Sequence, residues 1–345
     1  MRIQIAALTA FGILPSILAA QSATWNAEAD VTGGYSSEDT VRAASTQVRL
    51  FGETKSRIRF HVEGTWADRT ATHSDPFGAA YPYNGKAQLS EAYLERTFQR
   101  GSSFLIVRGG QYRSPFGISS RSDHGYSGFL RAPLMRYDGY WGLSNNFLER
   151  GVNIVAGKSW LTVEASLGAP GDLGVAQRRS GLDAVVRVQT YFKGLVLGAS
   201  EMRSKPYYST QIAPGHLQFT GIDGRYAVGG VQVRGEWIAG KPWAGTRTRG
   251  WYMDTMVHRP FMGAVTAVYR VEGLHFSSPL PYDYRGMLCV MPWEGQRQTV
   301  GGRVRLPHNL TANLNHIHQV DELSEDGAPR NAFDVGLTYS FRLKR

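Results

Sequence analysis

The sequence predicts an all-β chain: a transmembrane antiparallel β-barrel of about sixteen strands, with short periplasmic turns and long extracellular loops. Three observations predict it. Segments of about ten residues that alternate between apolar and polar recur from about residue 24 to the last residues of the sequence. The gaps between these segments alternate between short and long. Arginine collects on the polar face and aromatic residues collect at the segment ends, as the interfacial girdles of a lipid-facing sheet require.

The first residues stand apart. Arg2 precedes an apolar run from Ile5 to Ala20, followed by small residues at Ala19, Ala20 and Ala23. This pattern predicts a signal peptide over residues 1–20, cleaved between residues 20 and 23. The run contains Pro15 and Gly12 and lacks a cationic flank, which argues against a membrane anchor. Residues 24–345 are then expected to form a single barrel domain. Beyond this leader, no run of about eighteen apolar residues exists, so no spanning helix is expected. The single cysteine, Cys289, excludes an internal disulfide framework.

The strands follow in order. They are expected to start near Trp25, Val41, Arg57, Leu89, Ser103, Phe147, Trp160, Gly181, Gly194, Gln218, Val231, Arg247, Gly263, Gln298, Leu310 and Ala332. In the third, Ile58, Phe60, Val62 and Trp66 alternate with Arg59, His61, Glu63 and Thr65. In the eighth, Leu182, Ala184, Val186 and Val188 oppose Asp183, Arg187 and Gln189. In the eleventh, Val231, Val233 and Trp237 oppose Gln232, Arg234 and Glu236. The last sets Phe333, Val335, Leu337, Tyr339 and Phe341 against Asp334, Gly336, Thr338 and Ser340. The gaps "QRG", "GKS", "YFKG", "VGG" and "LPHN" are turn-sized. Four gaps on the opposite side are long: Arg69 to Ala87, Ser114 to Asn146, Ser204 to His216 and Gly273 to Gly295. An even strand count places both termini at the short-turn end.

A soluble β-sandwich would also alternate. Sixteen strands need two sandwich domains, yet no linker, repeat or composition shift divides the chain. A sandwich surface would also mix lysine and glutamate where this chain places arginine. The formal net charge is +10, and thirty-one of the thirty-eight basic residues are arginines. No helix-turn-helix, zinc spacing or lysine-rich tail accompanies that charge, so nucleic acid is not the expected partner. In lipid, closure alone satisfies every strand edge.

Sixteen strands enclose water where eight would be filled by side chains. The alternation turns Arg57, Arg59, Arg187, Arg234, Arg270, Arg303 and Arg305 toward that lumen, together with Glu63, Asp183, Glu236 and Asp334. The arginine excess predicts a positive lumen. The third long-side loop follows "RGGQYRSPFGIS", whose Pro-Phe-Gly ends the strand. It carries Arg121, Arg131 and Arg136 among aromatic residues, and a loop of this length is expected to fold inward and narrow the passage.

At "LSEAYLERTF" and "GGQYRSPFGISS", over about Leu89 to Ser119, the sequence resembles the phosphate-selective porin O/P family of bacterial outer membranes. The resemblance implies an outer-membrane porin, usually trimeric, that prefers anions and has basic residues along its pore. Arg108, just before the motif, and Arg113, within it, join the expected pore-lining set. The implied partners are outer-membrane lipids and lipopolysaccharide, a homotrimer, and small anionic or neutral solutes. The chain departs from the family in its scarce lysine and in its end, where "RLKR" follows Phe341.

Enzymatic motifs are absent: no Gly-x-Ser-x-Gly elbow and no His-Glu-x-x-His occur. No cofactor-binding motif occurs either. An outer-membrane hydrolase and a secreted binding protein are the alternatives. "HIH" at His316 to His318 sets two imidazoles on one strand face with no third ligand nearby, and Glu91 and Glu95 share a face as lumenal polar groups. In a Cys289→Ser background, Arg59→Cys should react with a membrane-impermeant thiol reagent and Phe60→Cys should not. The reverse pattern would invert the assignment of faces.

Overall fold

The computed structural model describes residues 24–69, 86–118, 127–136, 148–170, 182–204, 218–243, 246–258, 264–277, 281–284, 287–290, 294–321 and 329–344. The signal-like leader and Arg121 lie outside them. The first nine strands are β1 (Thr24–Ser36), β2 (Arg42–Glu53), β3 (Ile58–Arg69), β4 (Lys86–Arg100), β5 (Ser103–Arg113), β6 (Leu148–Lys158), β7 (Leu161–Pro170), β8 (Asp183–Phe192) and β9 (Leu195–Arg203). The next four are β10 (Gln218–Val228), β11 (Val231–Trp243), β12 (Thr246–His258) and β13 (Val265–Phe276). A small hairpin follows, β14 (Pro281–Tyr284) with β15 (Met287–Val290). The last three are β16 (Glu294–Arg305), β17 (Leu310–Asp321) and β18 (Arg330–Lys344).

All strands except β14 and β15 form one closed antiparallel barrel of sixteen, in which β1 pairs with both β2 and β18. The expected strand starts fall within four residues of those observed. The hairpin β14–β15 is a difference, since that stretch reads as loop in the sequence.

Local chemistry sets the turns. At the short-turn end, Lys193–Gly194, Gly229–Gly230 and His308–Asn309 all have positive φ. Paired left-handed residues are what a tight hairpin between right-twisted strands demands. The β2–β3 turn closes with Thr54 N–H donating to Ile58 O and Arg57 N–H donating to Thr54 O, both at 2.9 Å. It places Arg57 at φ 58 with its side chain exposed. Arg57 is thus a turn residue and not part of the lumen wall, and the strand begins one residue later.

The two faces separate as the alternation requires. Val31, Val48, Leu94, Val152, Leu167, Val186, Ile222, Val300, Leu314, Val335 and Leu337 are all more than two-fifths exposed. On the opposite parity, Asn153, Arg187, Asp223, Asp254, Glu272, Arg297 and Asp334 are buried. This is inside-out relative to a water-soluble protein and suits a barrel whose outside meets lipid. On the outer face, Trp66 stands toward the long-loop end, Trp237 and Trp251 pair near mid-strand, and Phe192, Tyr226, Tyr339 and Phe341 stand toward the short-turn end. An arginine on the lipid face costs about 2–4 kcal/mol at the midplane and about 0–1 near the interfaces. Leu314→Arg, near mid-strand, should therefore lower the unfolding free energy in bilayers by about that larger amount, and Val320→Arg near the long-loop rim by about the smaller. Equal effects in a urea titration would show that Leu314 is not at the lipid midplane.

Candidate functional site: the barrel interior

The interior is built from two parts, the wall and a segment of the long connection between β5 and β6. Residues 127–136 of that segment are buried without exception and end in a 3-10 turn, Leu134–Arg136. They follow the inner wall strand by strand. Phe129 packs on Met256 of β12 and Val268 of β13. The Leu130 N–H donates to Asn315 Oδ1 of β17 at 2.8 Å, and its side chain sits where Gly336 of β18 leaves room. The Ala132 carbonyl accepts from Arg297 of β16, and the Leu134 N–H donates to Glu272 Oε2 of β13 at 2.6 Å.

Two arginines pin this segment. Arg131 donates to both oxygens of Asp334, at 2.6 and 2.9 Å, and to Glu38 Oε2 at 2.5 Å. Burial works against its charge, but the hydrogen bonds and charges of Asp334 and Glu38 outweigh this and raise its pKa, so it stays cationic. Arg136 donates to Glu236 of β11 and to the Phe116 carbonyl. The Pro-Phe-Gly motif now has a structural reason. Phe116 is fully buried with Arg136 over its ring at 5.5 Å, and it fills the space above Gly221 of β10. Gly117 has φ +67, and a Cβ there would overlap the Glu236–Arg136 pair. Only glycine fits both constraints.

The wall under this segment is an ion-pair network. Asp254 of β12 accepts from Arg234 of β11 and, at both oxygens, from Arg270 of β13. Arg270 also donates to the Arg131 carbonyl at 2.9 Å and lies 4.0 Å from the Phe129 ring centroid. Arg297 pairs with Glu272, and Arg187 pairs with Asp223. On β1–β5, Arg49 pairs with Glu28 and Asp30, Arg108 with Glu95, and Arg113 with Glu63. These side chains on β1–β5 keep some exposure, about a fifth for Arg49, Arg108 and Arg113. Among the described residues, 127–136 lie on the wall from β11 to β13 and from β16 to β18, and the β1–β5 wall keeps this partial exposure.

Most expected lining residues do face inward: Arg59, Arg108, Arg187, Arg234, Arg270, Arg303 and Arg305 lie on the inner parity. Arg59 and Arg305 are exposed at the short-turn rim rather than deep in the lumen. The arginine-dominated interior is not what the geometry assembles. Among the described residues, Arg49, Arg108, Arg113, Arg131, Arg136, Arg187, Arg234, Arg270 and Arg297 each have a carboxylate partner. Asp254, Glu272, Arg297 and Arg49 are missing from the expected set, although the same alternation would have supplied them. His316 and His318 alternate with buried Ile317 and face outward, His316 against Phe333 and His318 against Asn331. They do not form a lumenal metal site.

No family model and no curated protein matches the sequence. Solved structures are similar in fold. The anion-selective porin of Comamonas acidovorans aligns over 93% of this chain and 100% of its own, at 9% identity and a TM-score of 0.63. OmpF of Salmonella typhi covers 93% and 98% at 10% identity and 0.61, and OprB of Pseudomonas putida covers 96% and 97% at 12% identity and 0.60. The chain has the sixteen-stranded barrel fold of bacterial outer-membrane porins.

Removing one partner of a buried pair strands the other charge, at a cost of about 3–5 kcal/mol. Arg136→Ala should destabilise by about this amount, and Arg136→Ala combined with Glu236→Leu should recover part of it. Urea unfolding of the folded barrel reads both, and an additive double mutant would show that the pair does not hold the segment.

Proposed function

We propose that the chain is a porin of the bacterial outer membrane, exported by its N-terminal leader, that lets small hydrophilic solutes diffuse through a water-filled lumen. One observation carries this reading: a closed sixteen-stranded barrel with an apolar outside and a charged inside, in which a described inward segment lies on six wall strands while the charged side chains of β1–β5 keep partial exposure. Eight strands would leave no lumen, whereas sixteen leave one even with a segment laid against the wall. We assign it no catalytic role. Homotrimeric assembly and membership of the phosphate-selective porin O/P family belong to the same proposal. They are supported by the Gly-Gln-Tyr-Arg-Ser-Pro-Phe-Gly stretch, by similarity in fold to porins, and by similarity to the trimer form of OmpT, an outer membrane protein of Vibrio cholerae (TM-score 0.55, 11% identity).

A modest anion preference completes the proposal, but its source differs from the constriction arginines. Arg131 and Arg136 are neutralised by their partners. Arg59, Arg225 and Arg305 are exposed at the short-turn mouth, where Arg59 has Glu53 at 3.4 Å and Glu95 at 3.6 Å. Charge is screened over roughly 8 Å at physiological salt, so this preference is local to the mouth. Reconstituted in planar bilayers, the protein should give steady conductance and a reversal potential displaced toward the anion equilibrium value. Arg225→Gln with Arg305→Gln should reduce that displacement. An unmoved reversal potential would remove the mouth arginines from the account, and absence of conductance would remove the porin reading.

A further inference from the structure

We propose that His61, Glu63 and Glu91 form a binding site for a divalent transition-metal ion, zinc in particular, on the wet wall of the lumen. His61 and Glu63 are alternate, inward-facing residues of β3. Glu91 comes from β4, and a bulge delivers it: the register runs Glu63↔Glu91 and then Gly64↔Leu89, so Ser90 is an extra residue. Two carboxylates thus stand directly opposite each other, an arrangement that repels unless a cation joins them.

Arg113 supplies part of that cation. Its guanidinium donates to Glu63 Oε1 at 2.6 Å, and its backbone N–H donates to Glu91 Oε1 at 3.0 Å. The Arg113 guanidinium also lies 3.9 Å from Glu91 Oε2. Glu91 Oε2 lies 3.5 Å from His61 Nε2, and Glu63 Oε2 lies 3.5 Å from Arg49 Nε. His61 Nε2 is buried and makes no hydrogen bond. Its ring is held on both sides, stacked on Tyr93 at 5.1 Å and 15° and on Phe51 at 6.3 Å and 24°. The stack fixes the imidazole plane, so Nε2 is already aimed at the carboxylates.

One ligand atom from each residue lies within 4.8 Å of the other two. Metal–ligand bonds of about 2.0–2.2 Å set tetrahedral ligands roughly 3.3 Å apart, so small side-chain rotations close the site. One imidazole nitrogen with two carboxylate oxygens suits zinc, cobalt or nickel, whereas calcium and magnesium favour all-oxygen shells. Three protein ligands leave a position for lumenal water, which reaches the site because His61 and Glu91 are partly exposed. An ion held there cancels the two negative charges of the carboxylate pair, which makes this stretch of the lumen wall less attractive to cations.

Calorimetry on detergent-folded protein tests the site, with heat-modifiable gel migration as the check of folding. Wild type should take up one zinc per chain at micromolar concentrations and no magnesium. His61→Ala should lose that zinc, and His316→Ala/His318→Ala on the outer face should keep it. Zinc K-edge absorption of the wild type should show one nitrogen and two carboxylate oxygens, and this spectrum decides the matter even where His61→Ala does not fold. No uptake by wild type, equal uptake by His61→Ala, or a shell without a nitrogen ligand overturns the proposal. Zinc should also shift the wild-type reversal potential toward anions. Binding without conductance would overturn the porin reading and leave the site, and conductance without binding would do the opposite.

Discussion

A strand edge left open in lipid exposes a row of N–H and C=O groups with nothing to bond. Everything else in this chain follows from the need to remove that edge. β1 meets β18 over eleven paired positions, from Asn26↔Lys344 to Ser36↔Asp334, and the sheet has no end. Closure with sixteen strands then creates an interior too wide for side chains to fill. The outer parity must be apolar and the inner parity must carry water or paired charge. The sequence meets both demands at once, with Leu314 and Val300 outside and Asn313 and Thr299 inside the same strands.

The paired charge has a second use. A loop inside a water-filled barrel has little apolar surface to hold it, and Phe129, Met256 and Val268 are a small cluster. The carboxylates of Glu236, Glu272 and Asp334 accept from residues of the segment, while Arg270 and Arg297 donate to its carbonyls. These partners come from four different wall strands in fixed register. The segment is therefore located by the wall's hydrogen-bond geometry, and a shift by one residue would break several buried charge pairs together.

The strands were legible because a period of two needs no tertiary information. Where contrast between faces is low, the reading loses hold. β17 reads Asn-Leu-Asn-His-Ile-His-Gln, and its Ile317 points inward while His316 and His318 point to the outer face. Hydropathy alone would have reversed those three. Arg57 fell on the wrong side of a boundary because the turn needs a left-handed residue there, a backbone demand that alternation does not report. The loop's arginines were visible, but their partners were not. Arg131 and Asp334 are 203 positions apart, and nothing in either neighbourhood marks the other. The His61, Glu63 and Glu91 cluster is hidden for a smaller reason, a single bulge residue that sets Glu91 rather than Ser90 opposite Glu63.

The arginines consequently divide into two populations that no composition count can separate. One population is buried against carboxylates and holds the wall and the loop together. Its charge is cancelled within a few ångströms, so it presents dipoles rather than a net field to a passing solute. The other stands at the rim, as Arg59, Arg225 and Arg305 do, where exposure weakens any pairing and leaves charge for solutes to meet. A guanidinium cannot serve both ends fully, because the bond that fixes it is the bond that neutralises it. Among the described residues, the deep interior arginines are committed to structure. The bias toward anions that this set can give the pore then arises at the rim, where the structure needs no arginine at all.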